Sequence, residues 1–360
     1  MSKLHVYFLS YSTILIALIA IINAQNNNNR KTNYNEQEAR AMLLLCAGAY
    51  GQGNQHQQCV DRALPGTPER EIVMDLLNET CDDRGNPCEC YIVASHSIKT
   101  LFIIFRGTKT DSQLILEGIS TLKLGTDFLG MGNVNDYFLN GHNVLWPGVE
   151  NTLRNPRYNG YKIILTGHSL GGALASLAAA RIAKQGYRPG NMIKMITFGQ
   201  PRVGSLEYAK SYDNMRIESY RVVNAQDIIP HSPACQKNNT LGIPNDQSKP
   251  CDQIAIEKPY HHGIEIWYPN SMSPGSQYME CLGAPYGEDF SCSDRLKFDS
   301  KNSKTYVNDH RHYFNVQVPK FGKTGCNSNF PEGYPESDDN NKNVIQKAAE
   351  GIKTIANIIG

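Results

Sequence analysis

Residues Gly167-His168-Ser169-Leu170-Gly171 spell G-x-S-x-G, and their surroundings restrict what the chain can fold into. Ahead of them, Tyr161-Lys162-Ile163-Ile164-Leu165-Thr166 is an apolar, β-branched run that reads as a buried strand. Behind them, residues 172–181 are rich in Ala and Leu, strong helix formers. Strand, tight turn and helix is the layout of a nucleophile elbow, in which a serine is held up at the edge of a sheet. The glycines suit such a turn because packed chains leave little room for a Cβ. The five residues alone are a weak signal. Their context makes Ser169 a candidate nucleophile rather than an incidental serine in a Gly-rich turn.

The charge balance, 35 Lys+Arg against 34 Asp+Glu, gives no electrostatic case for nucleic acid as a partner. With 40% apolar residues, the 360-residue chain supports one sizeable core. An apolar run, densest from Ile14 to Ile22, precedes Asn23-Ala24-Gln25 and reads as a signal peptide covering 1–24. Its unbroken apolar part is shorter than the roughly 20 residues a membrane-spanning helix needs. Ten cysteines follow it, and an even count behind such a segment points to disulfides and a secreted, extracellular protein. Cys88-Glu89-Cys90 has C-x-C spacing, but no second pair completes a tetrahedral zinc set. Asn78-Glu79-Thr80 and Asn238-Asn239-Thr240 are glycosylation acceptors that fit a secreted chain.

Residues 25–35 form an Asn-rich leader read as disordered. A domain is expected over 36–326, then a polar linker and a C-terminal amphipathic helix over 327–360, with Val344, Ala348, Ile352, Ile355 and Ile359 at helical spacing. Within the domain, helices are expected at 36–50 and 138–154. Strands are expected at 91–94 and 100–105 as a hairpin, and at 193–198, 219–223 and 264–268. Strands alternating with helices imply an α/β fold with a mostly parallel central sheet flanked by helices.

A serine hydroxyl needs a histidine to take its proton and a carboxylate to orient that histidine. In α/β hydrolases the acid and base follow the serine in the chain, on loops after later strands. Asp227, in Asn224-Ala225-Gln226-Asp227-Ile228-Ile229-Pro230-His231, follows the strand ending near Val223. The histidine candidates are His231, His261, His262, His310 and His312. His231 is too near Asp227 along the chain. His261 and His262 sit at the start of strand 264–268, and His310 sits in a late loop, so spacing leaves His261 and His310 open. The oxyanion hole needs two backbone N–H donors. Leu170, after the nucleophile, supplies one, and the turn Arg106-Gly107-Thr108 after strand 100–105 is the candidate for the other.

Four segments together resemble the class 3 lipases, the fungal-type triacylglycerol lipases of the α/β-hydrolase fold, and are close to the family's secreted nematode members. They are Ile104-Phe105-Arg106-Gly107-Thr108, Thr166-Gly167-His168-Ser169-Leu170-Gly171-Gly172-Ala173-Leu174-Ala175, Thr197-Phe198-Gly199-Gln200-Pro201-Arg202-Val203-Gly204 and Asp227-Ile228-Ile229-Pro230-His231. The resemblance implies Ser169 as nucleophile, Asp227 as acid, and Thr108 and Leu170 as oxyanion donors. It also implies His310 as base, because Asp309-His310-Arg311-His312-Tyr313-Phe314 matches the family's D-H-x-x-Y-F segment. Bridges Cys281–Cys292 and Cys59–Cys326 are implied too, while the other six cysteines stay unassigned. Residues 110–129 take the place of the family's lid, with Ile115, Ile119 and Leu122 on one helical face and Leu124, Phe128 and Leu129 adding apolar surface. The expected activity is hydrolysis of lipid esters, acylglycerols foremost, at a lipid–water interface through an acyl-enzyme, with no metal or organic cofactor. Alternatives are a phospholipase, an aryl esterase or a serine protease of similar chemistry, and a non-catalytic lipid-binding protein on the same fold.

Overall fold

The computed structural model describes residues 31–67, 69–81, 85, 87–108, 124–238, 243–244 and 246–334. The proposed signal peptide, most of the Asn-rich leader, most of the lid segment and the C-terminal amphipathic helix lie outside these residues. Among the described residues no helix is long and apolar enough to cross a membrane.

The framework is one eight-stranded sheet. In chain order its strands are β1 (Arg70–Thr80), β2 (Pro87–Ser95), β3 (Thr100–Phe105), β6 (Lys162–His168), β7 (Ile193–Phe198), β9 (Glu218–Asn224), β11 (Ile264–Tyr268) and β12 (Met279–Cys281). They lie side by side in that same order. The five inner strands β3, β6, β7, β9 and β11 pair in parallel. The outer ones pair antiparallel, β1 on β2, β2 on β3 and β12 on β11. A smaller four-stranded sheet contains β4 (Leu124–Asp127), β5 (Asn133–Asn135), β8 (Gly204–Ser205) and β10 (Pro259–Tyr260).

The inner strands read as apolar runs because helices cover them. Helix α3 (Asp136–Arg154) and helix α4 (Leu170–Lys184) pack on the sheet and on each other. Leu145 and Val149 of α3, Leu174 and Leu177 of α4, and Ile103, Ile163 and Leu165 of the strands share one core. Helix α1 (Glu36–Gly48) buries Met42, Leu43, Leu45 and Cys46. The polar helix α2 (Asn54–Ala63) is tied by Cys59–Cys326 to the far end of the domain. Helix α5 (Leu206–Asp213) follows β8, and helix α6 (Ser303–Arg311) comes late in the chain.

The α/β expectation and the inner strands agree with the structure, and several details differ. Helix α1 ends at Gly48 rather than residue 50, and β2 begins at Pro87 rather than Tyr91. Strand β1 was not expected, because two register shifts, between Ile72 and Met74 and between Leu76 and Glu79, break its alternation. His310 is not in a loop: it occupies the last turn of α6. Phe128, assigned to the lid, is buried in the core against His142 and Tyr208. Four disulfides form. Cys59–Cys326 and Cys281–Cys292 are joined by Cys81–Cys88 and Cys235–Cys251, while Cys46 and Cys90 remain buried thiols. Burial pushes the Cys46 thiol up to about 12, so it stays protonated and inert.

Candidate active site

The segments singled out in the sequence meet at the carboxyl ends of the parallel strands, the edge at which open α/β sheets bind ligands. Strand β3 ends at Phe105 and runs into Arg106-Gly107-Thr108. Strand β6 ends at His168 and runs into Ser169, β7 ends at Phe198 before Gly199, and β9 ends at Asn224 shortly before Asp227.

Ser169 lies between β6 and α4 with φ 59°, ψ −128°, a conformation an L-residue rarely adopts. The turn is crowded. A Cβ on Gly171 would collide with the carbonyl oxygen of Phe105, and one on Gly167 with the backbone of Gly171. Ser169 donates its backbone N–H to Phe198 O at 2.8 Å. Its Oγ is buried and has no hydrogen-bond partner among the described residues. Leu170 is the first residue of α4, so its amide has no carbonyl acceptor within that helix and points where a helix N-terminus favours negative charge.

Asp227 is fully buried and heavily bonded. His310 Nδ1 lies 2.9 Å from Oδ2 and 3.0 Å from Oδ1. Tyr313 donates its hydroxyl to Oδ2 at 2.5 Å, and Ile229 donates its amide to Oδ1 at 2.9 Å. With Nδ1 donating to the carboxylate, a neutral His310 ring presents Nε2 as a lone pair. That nitrogen is buried and, like Ser169 Oγ, has no partner among the described residues.

The loop that carries Asp227 and the end of α6 that carries His310 are tied to each other. Asn224 Nδ2 donates to the carbonyls of Asp309 (3.2 Å) and His312 (2.7 Å), on either side of His310. The Gln226 amide donates to Asp309 Oδ2 at 3.0 Å. Gly199, with φ +58°, fits against the pair; a Cβ there would stand 2.7 Å from Asp227 Oδ2 and 2.8 Å from His310 Nδ1.

His168 joins elbow, imidazole and turn. Its ring stacks on that of His310, 4.8 Å between centroids, and its Nε2 donates to His310 O at 2.8 Å. Nδ1 is 3.0 Å from the Tyr50 hydroxyl, which in turn receives the Gly107 amide. Burial, with the adjacent His310 acting the same way, lowers His168 to about 3, so this ring is neutral. Arg106 anchors the turn from behind. It is buried, pairs with Glu89, and donates to Pro87 O at 2.9 Å.

The other histidines make different contacts. His261 Nε2 donates to Pro230 O (2.7 Å), and its backbone amide donates to Glu288 Oε1 at 2.9 Å. Burial holds His261 and His262 well below the ordinary imidazole value. His262 stacks on Tyr212, His231 packs on Phe298, and His312 bonds Glu332. Arg202, in the third motif, makes a buried ion pair with Glu288 at 2.7 Å and so does structural work. Sequence reasoning did not reach Tyr50, and it used Gly199 and Tyr313 only as parts of motifs. Among the described residues two groups have metal-like spacing, Cys235, Cys251 and Asp294, and Glu265, Cys281 and Cys292. In each, the sulfurs are joined as a disulfide and offer no thiolate.

Known proteins resemble this chain in sequence and in fold. The profile of the class 3 lipases matches residues 102–237. Lipase ZK262.3 of Caenorhabditis elegans is 44% identical over 321 residues, 88% of this chain and 90% of that one. A Rhizopus niveus lipase is 31% identical over 179 residues, 46% of this chain and 42% of its own length. Among solved structures, the Rhizopus microsporus var. chinensis lipase superposes with a TM-score of 0.58 at 24% identity, covering 80% of this chain and 90% of that one. A fungal lipase–inhibitor complex superposes with a TM-score of 0.60 at 22% identity, covering 79% and 96%. These likenesses share the α/β-hydrolase fold. The chain belongs to the class 3 lipase family.

Proposed function

We propose that the protein is a serine hydrolase that cleaves lipid carboxylic esters through an acyl-enzyme. Ser169 Oγ attacks the ester carbonyl carbon as its proton passes to His310 Nε2. Asp227 holds the imidazole and stabilises its charge once protonated. The tetrahedral oxyanion accepts hydrogen bonds from the amides of Thr108 and Leu170. Collapse breaks the ester C–O bond, and His310 returns its proton to the departing alcohol. Water then attacks the acyl carbon, giving its proton to His310, and the acid leaves as Ser169 is restored.

The observation that carries this reading is the buried Asp227–His310 pair, with an unpartnered Nε2, at the strand ends that also carry the strained Ser169. A Ser169→Ala variant tests it. Hydrolysis of p-nitrophenyl butyrate is expected to fall by at least about 1,000-fold with thermal unfolding unchanged. A rate within twofold of the parent contradicts the assignment. The reading also places the protein in an oxidising, extracellular setting, supported by its four disulfides. Activity recovered from the medium of cells expressing the full chain is the expected result, and retention in the cytosol contradicts it.

A further inference from the structure

Thr108, one of the two amide donors in the proposed reaction, follows Arg106 by two residues, and Arg106 is pinned from behind by a single short segment. Its amide donates to Glu89 O at 3.0 Å, its Nη2 donates to Pro87 O at 2.9 Å, and its guanidinium pairs with the Glu89 carboxylate. All three contacts fall on residues 87–89, at the start of β2. Cys88, in the middle of that segment, is bridged to Cys81, one residue past the end of β1. We propose that the Cys81–Cys88 disulfide positions the oxyanion hole: it fixes residues 87–89 and, through Arg106, the Thr108 amide. The inference rests on the ester-hydrolase reading above.

Three observations support it. The β1–β2 ladder is irregular where it has to hold this anchor. Its register shifts between Leu76 and Glu79 and resumes with Glu79 against Cys88 and Thr80 against Pro87. A shift disrupts the ladder locally, so the bridge supplies a restraint that the hydrogen bonds there supply weakly. The bridge also abuts the hole itself. Cys81 and Cys88 border the same small gap as Thr108 and Leu170, and Cys81 lies against α3 at Gly141, where a Cβ would stand 4.0 Å from its Sγ. In a close-packed interior, a displacement of either sulfur is passed on to the residues that carry the donors. Finally, the bridge spans only seven residues, against 11, 16 and 267 for the other three. A disulfide stabilises a fold chiefly by closing a loop in the unfolded chain, and more so for longer loops. This bridge is therefore the one with least to add to global stability, and its effect is local. It also lies outside the two pairings implied by the family resemblance.

The test compares a Cys81→Ser/Cys88→Ser double variant with Cys235→Ser/Cys251→Ser, which cuts a bridge elsewhere. Two quantities are read: kcat and KM for p-nitrophenyl butyrate, and Ki for an alkyl trifluoromethyl ketone. The ketone adds to a serine hydroxyl and places an oxyanion in the same hole. Cutting Cys81–Cys88 is expected to lower kcat about 10-fold, with KM within threefold of the parent, and to raise Ki about 10-fold, because the hole is used by the tetrahedral state and not by the bound ester. Cutting Cys235–Cys251 is expected to leave both within twofold. Should the first variant fail to fold, Glu89→Gln keeps every bridge, removes the ion pair on Arg106, and is expected to show the same matched fall in kcat/KM and rise in Ki. A kcat/KM within twofold of the parent in the folded variant overturns the inference. So does a fall in kcat/KM without a matching rise in Ki, the mark of general loosening. Either result leaves the hydrolase reading standing. A parent protein inactive on the ester overturns both.

Discussion

Tyr313 gives its hydroxyl to the same oxygen of Asp227, Oδ2, that lies 2.9 Å from His310 Nδ1. A phenol and an imidazole thus share one buried carboxylate oxygen, and the Ile229 amide holds the other oxygen of the group. Three donors fix the carboxylate in the plane that His310 needs. A hydrogen bond to a charged group is worth about 1.5–3 kcal/mol. Tyr313→Phe is therefore expected to lower kcat by about 10- to 100-fold, with KM changed by less than about threefold, because Tyr313 acts through Asp227 rather than on substrate. Steady-state kinetics on a soluble ester check this. A loss confined to KM would mean that Tyr313 contacts the substrate.

Gly199 has a sharper requirement. Its φ of +58° is already costly for any L-residue, and a Cβ would press on both Asp227 and His310. Gly199→Ala is expected to reduce kcat by at least about 100-fold, with a fall of a few degrees in thermal midpoint. Activity within threefold of the parent would show that the pair tolerates displacement.

Acid sensitivity follows from buried imidazoles. His142 lies between Phe128 and Trp146, both its ring nitrogens are buried without a partner among the described residues, and burial, helped by Arg181, lowers it to about 3. An unfolded histidine titrates near ~6.5. The folded state therefore binds fewer protons than the unfolded one below that pH. The stability linked to His142 is complete above about pH 6.5 and is lost as pH falls towards 3. Between pH 7.5 and 5, this one group accounts for a loss of about 2 kcal/mol. His142→Phe is expected to lose that much less stability over the same interval, read by urea unfolding at the two pH values. An unchanged pH dependence would mean that His142 is protonated in the fold.

The parallel core was legible because Ile163-Ile164-Leu165 and Met195-Ile196 are continuous apolar runs, the mark of strands covered on both faces. The elbow was legible because strand, turn and helix each carry a local signal. Spacing could not separate His261 from His310, since both follow Asp227 and local sequence does not report which one folds against it. The family's D-H-x-x-Y-F segment made that choice. Helix α6 went unread because its buried residues are Ser303, Tyr306 and His310, a stripe at helical spacing made of polar types. Tyr50 carries no local mark at all. Its partner His168 is 118 residues away, and only packing brings the two together.

The central claim is that Ser169 becomes covalently acylated. The direct measurement is incubation with a p-nitrophenyl alkylphosphonate, which phosphonylates a nucleophile only by expelling p-nitrophenolate, followed by peptide mass mapping. The account predicts release of about one p-nitrophenolate per protein molecule, with parallel loss of activity and the phosphonyl mass on the peptide at Ser169. Continued ester hydrolysis with Ser169 unmodified, or an inactivating adduct on another residue, would contradict it.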